Sequence, residues 1–268
     1  MKISGWSLIR LYTILVYVFM FTPIVAVVIL SFNPQQFGSF PMEGFSFRWY
    51  VKLAQNHTIL GAFKNSLILG SLTSIVVTAI GIPAAMAFVR YNFPGKNTIN
   101  TLLLTPIMVP EVVLGVALLL FIRWLQQPKS FVLLLIGHVV LTLPYVLLVV
   151  QARLVGIKIE YEEAAKTLGA NPLQTFKEVT LPLLAPAILA GMLFSFTISF
   201  DDVTATLFWA TASNQTVPVK IFGMLRNSIS PEINALGTVM IVLTVSIPLL
   251  AGYLSRQFSR RRGDSKAT

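Results

Sequence analysis

The chain has 268 residues, of which 55% are hydrophobic and 11% charged, with a mean hydropathy of +0.78 and a formal net charge of +10. A soluble domain carries about 25% charged residues, so this composition excludes an ordinary soluble protein and sets the class as a polytopic membrane protein. In such a chain the positive excess is a topology signal rather than a nucleic-acid footprint, and the lack of cysteine excludes disulfide and thiol chemistry.

The apolar run from Leu8 to Leu30 is too long for a signal-peptide core and lacks a clear small-residue cleavage site, so it is expected to be retained as a first span. With about 20 apolar residues needed per crossing, six all-α spans are expected, at about 8–31, 64–89, 99–121, 131–153, 184–208 and 233–255, in a single membrane domain 1–268. Gly81 and Pro83 in the second, and Pro106 and Pro110 in the third, are tolerable where neighbouring helices or waters satisfy the freed backbone groups. With both termini in the cytoplasm, 13 of the 20 Lys and Arg residues fall on the inner side and 7 on the outer. The first outer connection, about 32–63, places Phe45, Phe47, Trp49 and Tyr50 as an interfacial belt. The last, about 209–232, is long enough to rim a pore mouth. The basic tail from Arg260 is expected to be disordered or to lie against anionic headgroups.

Between the fourth and fifth spans, residues 154–183 form a charged island that no membrane requires. Tyr161, Ala164, Ala165 and Leu168 recur at the spacing of one helix face. Glu160, Glu162 and Glu163 lie in its first turns, where carboxylates favour the positive helix end, and are placed on the exposed side. Gly169 follows as a left-handed cap. Asn171 and Pro172 then suit the N-cap and first residue of a second helix. Small alanines on a face with acidic neighbours suit a protein groove better than anionic lipid.

Few ionisable residues lie within the spans. Glu111 is placed about 18 Å into the third, at 1.5 Å per residue, Asp201 and Asp202 in the outer half of the fifth, and His138 early in the fourth. Carboxylates at such depths are functional candidates, and without a basic residue at comparable depth they favour a cationic passenger. Asp201 or Asp202 could instead cap a broken helix, and Glu111 could satisfy a kinked backbone. Phe200 and Trp209 are candidates to stack on ammonium groups, or to pack between helices. No Gly-rich phosphate loop is present, so no nucleotide is expected on this chain; no metal or other cofactor is expected either.

Glu163-Ala164-Ala165, then Gly169, then Val179-Thr180-Leu181-Pro182 resembles the EAA loop of ABC importer permease subunits, with both family spacings matched. The wider chain is similar to the second permease subunit of spermidine/putrescine importers. That likeness is carried by Ser31-Phe32-Asn33, Arg90 to Lys96, Ser195 to Asp202 and Ser230 to Leu236. The resemblance implies the six-helix type I permease fold in a bacterial inner membrane and no catalysis by this chain. Energy would come from ATP-Mg used by two copies of a separate cytoplasmic ATPase. Further implied partners are a homologous permease subunit and an extracytoplasmic solute-binding protein. Tyr161, Glu163, Ala164, Ala165, Leu168 and Gly169 would couple the ATPase to the membrane, and Glu111, Phe200, Asp201, Asp202 and Trp209 would serve the path of a small cation. Related machinery for opines, amino acid derivatives or phosphonates shares much of the pattern. A secondary transporter would instead require inverted repeats and leave the island unexplained.

Overall fold

The computed structural model describes residues 5–36, 41–227 and 231–264. These residues form α1 (Gly5–Leu30), α2 (Arg48–Gln55), α3 (His57–Arg90), α4 (Lys96–Leu104), α5 (Glu111–Trp124), α6 (Phe131–Val155), α7 (Glu160–Thr167), α8 (Pro172–Thr175), α9 (Leu181–Asp201), α10 (Thr206–Trp209), α11 (Val217–Asn227) and α12 (Pro231–Asp264). Among the described residues, five helical segments are long and apolar enough to cross a membrane, and a bent pair makes up to six. α12 stays helical to Asp264, so the tail from Arg260 is not disordered over 260–264; residues 265–268 lie outside the described residues.

Two expected spans differ in form. The third is a pair, Lys96–Ile107 and Glu111–Trp124, bent by 109°. Pro106 lies in a tight 3-10 turn, Thr105–Ile107, and Pro110 immediately precedes α5; neither proline can donate a backbone hydrogen bond, and Pro110 biases Val109 against helix. The fifth was expected to run to 208 but ends at Asp201, where Asp202 turns extended at φ −66°, ψ 125°. At its other end the helix widens to a π turn over Phe176–Thr180. Pro182, which has no N–H, follows directly, and wider turns are a common response to such a break in the ladder.

Residues 62–219 with 246–268 make one compact unit. α6 and α9 form its main helix pair. Val77, Ala85, Val146, Leu147, Val150, Leu154 and Leu184 are buried together there. Lipid gives helices no hydrophobic reason to associate, so close backbone approach and interhelical hydrogen bonds carry the packing. A Cβ on Gly81 would stand 2.9 Å from Val146 Cγ1, and the Ser74 hydroxyl donates to the Met192 carbonyl at 2.8 Å. The segment after α10 is stapled to α3. Asn65 Nδ2 donates to the Ser213 and Gln215 carbonyls, both at 3.1 Å, and the Ser66 hydroxyl accepts the Val217 N–H at 2.9 Å.

Residues 1–61 with 220–245 make the other unit. Most of α1 is exposed apolar surface. Beyond it the Trp49 indole is buried and donates to the Asn33 carbonyl at 2.7 Å, with the Arg48 guanidinium 4.5 Å from its ring centre. Tyr50 meets Ser31 at 2.6 Å, and Lys52 pairs with Glu232 at 2.6 Å. Of the expected aromatic belt, Phe45 and Phe47 are exposed, whereas Trp49 is an internal anchor.

Candidate functional site

The charged island is two short helices with hydrogen-bonded ends. α7 closes in a Schellman arrangement: Ala170 N–H donates to the Ala165 carbonyl and Gly169 N–H to the Lys166 carbonyl, both at 3.0 Å. Gly169 has φ +92°, the left-handed value that glycine adopts without strain. Asn171 then forms a full capping box on α8: its side chain accepts from Gln174 N–H, and the Gln174 side chain accepts from Asn171 N–H, each at 2.9 Å.

The outward side of α7 carries Tyr161, Glu163, Ala164 and Leu168, all exposed, with Ala165 half-buried. Leu168 is 89% exposed, an unusual state for a leucine beside polar residues. The acidic residues do not share one exposed side as expected. Glu162 turns inward and is buried, its carboxylate 3.1 Å from Arg90 Nε at the end of α3. Arg90 Nη2 also donates to the Ile157 carbonyl at 3.0 Å. A helix of this pitch puts positions 161 and 162 about 100° apart, so Tyr161 can face out while Glu162 faces the protein.

The second constellation is buried and polar. His138 Nδ1 lies 2.8 Å from Ser199 Oγ, and Nε2 lies 3.0 Å from Thr206 Oγ1. The Thr206 hydroxyl and N–H both reach Asp202 Oδ2, and Ala205 N–H donates to Oδ1 at 3.3 Å. Because Thr206 spends its proton on Asp202, its oxygen accepts from His138 Nε2–H. Ser199 continues the chain to Thr73 at 3.4 Å. This line of five side chains ties α3, α6, α9 and α10 together. Asp202 thus takes the capping role at the broken end of the fifth span.

The carboxylates separate by environment. Glu111 and Asp201 are exposed on this chain, whereas Asp202 is buried. Glu111 opens α5 at the bend, beside the Thr204 hydroxyl and facing the charge of Asp202. Phe200 and Trp209 are 1% and 2% exposed. Phe200 stacks on Phe196 with centroids 5.4 Å apart. Trp209 donates from Nε1 to the Gly115 carbonyl at 2.8 Å and meets His138 edge-on at 5.9 Å. Both aromatics pack between helices rather than on an exposed face. Sequence reasoning noted His138 but not its partners; hydroxyl residues in apolar spans, Thr73, Ser199 and Thr206, were the available signal. Arg90 was read as a topology charge and as the start of a family-like segment, not as a partner of Glu162.

Residues 77–262 match the family of binding-protein-dependent transport system inner membrane components. The chain is 35% identical to the spermidine/putrescine transport system permease protein PotC of Haemophilus influenzae over 95% of this chain and 98% of that one. It is 31% identical to the putrescine transport system permease protein PotI of Escherichia coli K12, over 97% and 94%. Among solved structures, a chain of a bacterial ABC transporter that imports the acidic polysaccharide alginate superposes with a TM-score of 0.75 at 17% identity, covering 94% of this chain and 96% of that one. A chain of the MetNI methionine ABC transporter gives 0.60 at 16%, covering 73% and 94%. At those identities the likeness is one of fold. On the family match and the near full-length identity to PotC, this chain belongs to the binding-protein-dependent transport system inner membrane components, the multi-pass permease subunits of ABC importers.

Proposed function

We propose that the chain is a permease subunit of an ATP-driven importer of polyamines, spermidine and putrescine. The observation that carries the substrate is its 35% identity to a spermidine/putrescine permease across 95% of its length. The complex contains this subunit, a homologous permease, two copies of a cytoplasmic ATPase and an external solute-binding protein. Both termini and the α7–α8 segment face the cytoplasm, as the distribution of Lys and Arg supports. This chain moves solute and performs no covalent chemistry.

In this reading Tyr161, Glu163, Ala164, Ala165, Leu168 and Gly169 meet the ATPase. The exposure of all of these but Ala165, and the closure of α7 by bonds internal to the segment, support a preformed docking surface. ATP-driven closure moves α7 and opens the path outward; hydrolysis resets it. Glu111 and Asp201 meet the passenger, replacing part of its hydration while holding it weakly enough for release. Asp202, Phe200 and Trp209 shape the wall behind them.

The test is uptake into proteoliposomes holding the whole complex, with ATP inside and binding protein outside. Labelled spermidine and putrescine should accumulate only with both, and other organic cations should compete better than anions. Accumulation of an anion with no polyamine uptake would overturn the substrate reading.

A further inference from the structure

α3 has 34 residues, about 51 Å at 1.5 Å per residue, against a hydrocarbon core of about 30 Å. Its last residue, Arg90, reaches the charged island. There its guanidinium spans two acceptors, the Glu162 carboxylate at 3.1 Å and the Ile157 carbonyl at 3.0 Å. The two side chains are only 10% and 9% exposed. Arginine's planar fork fixes direction as well as distance when it bridges two groups, and a shielded pair is screened little by salt.

The segment beyond Arg90 is also braced. Lys96 Nζ bonds the Tyr91 carbonyl at 3.0 Å and Asn92 Oδ1 at 3.2 Å, and Phe88 packs on Phe93 with centroids 5.9 Å apart. α4 follows at once and is tied to α6 by Gln151 Nε2 donating to Asn100 Oδ1 at 2.9 Å. At its far end lies the bend that carries Glu111. The other route out of α7 is the chain itself, through α8 and the π turn into α9.

We propose that Arg90 and Glu162 form the strut through which movement of α7 reaches α3 and, through the braced turn 91–96, the bent span bearing Glu111. Arg90 is a positioning residue: it touches neither ATPase nor solute. α9 receives the same movement covalently, so the strut makes two walls of the path move together. Without it the ATPase still turns α7 and α9, but α3 and α4 lag. The inference rests on the reading of α7 as the ATPase contact.

The experiment uses the complete complex in proteoliposomes and measures uptake and binding-protein-stimulated ATP hydrolysis side by side. Arg90→Ala and Glu162→Gln should assemble and hydrolyse ATP, while solute moved per ATP falls about tenfold, within the usual range of coupling energies. Arg90→Lys, which keeps the charge but not the fork, should fall between. The exchange Arg90→Glu with Glu162→Arg should recover a large part of the loss seen with Glu162→Arg alone. An unchanged ratio of uptake to hydrolysis in Glu162→Gln overturns the strut, as does a parallel fall of both activities or loss of assembly in all single variants. Ala164→Trp, on the outward side, separates the two readings. If it leaves ATPase binding and uptake intact, α7 is not the contact. If it abolishes both while Arg90→Ala stays fully coupled, the contact stands and the strut fails.

Discussion

The Trp209 ring fills the space over Gly137 in which any side chain there would stand: a Cβ on Gly137 would fall 2.4 Å from Cε3 and Cζ3 of the indole. The same tryptophan holds the Gly115 carbonyl at 2.8 Å, so one side chain locks α10 against both α5 and α6. Gly137→Ala therefore overpacks a buried contact and is expected to cost about 1–3 kcal/mol. Thermal unfolding of the detergent-solubilised complex should report it. Because the two residues touch, adding Trp209→Ala should cost less in the Gly137→Ala background than in the native one; equal costs would contradict the contact.

The adjacent aspartates should separate in function. Asp202 accepts from Thr206 N–H at 2.8 Å and from the Thr206 hydroxyl and Ala205 N–H, so Asp202→Ala loses a cap worth about 0.5–2 kcal/mol and leaves Thr206 and Ala205 short of an acceptor. Its expected effect is a lower melting temperature. Asp201 is exposed, and Asp201→Asn is expected to reduce uptake of cationic solute with a smaller change in melting temperature than Asp202→Ala. Wild-type uptake in Asp201→Asn would remove Asp201 from the path.

Gly169 tests the outward side of α7. A Cβ there would meet nothing within 4 Å, but φ is +92°. Gly169→Asn should be mild, because asparagine tolerates the left-handed region, and Gly169→Ala should cost about 1 kcal/mol in local strain. Gly169→Trp meets no obstacle in this chain. A loss of uptake larger than that of Gly169→Ala, in a complex that still assembles, measures the ATPase surface; equal losses would mean that strain alone is at work.

Magnitude decides between two neighbours on α2. The Lys52–Glu232 pair is short, at 2.6 Å, but the lysine side chain is 58% exposed, so Lys52→Ala is expected to cost no more than about 1 kcal/mol. Trp49 is buried and hydrogen-bonded to Asn33, and Trp49→Ala should cost about 3–5 kcal/mol. Melting curves of the two variants should differ accordingly, and raised salt should narrow the gap between Lys52→Ala and wild type.

Much of the architecture was legible from the chain. Apolar runs of about 20 residues must become spans, because lipid accepts no unsatisfied backbone. The island could be read in detail since caps are local: Gly169 and the Asn171–Gln174 box act within four residues of themselves. Hydropathy was blind where polarity and geometry part company. Residues 202–208 are as apolar as a helix would be, yet one carboxylate ends α9 and starts α10.

The sequence by itself determined the membrane class and the local caps of the island, because these depend on composition and on neighbours along the chain. Tertiary structure alone decided which charges are spent internally. Glu162 and Glu163 are adjacent and chemically near-identical, but one is held by Arg90, 72 residues away, and the other is exposed. Asp202 likewise is buried, held by Ala205 and Thr206. An ionic group in a poorly hydrated place is tolerable only with partners, and partners drawn from other helices exist only once those helices have packed.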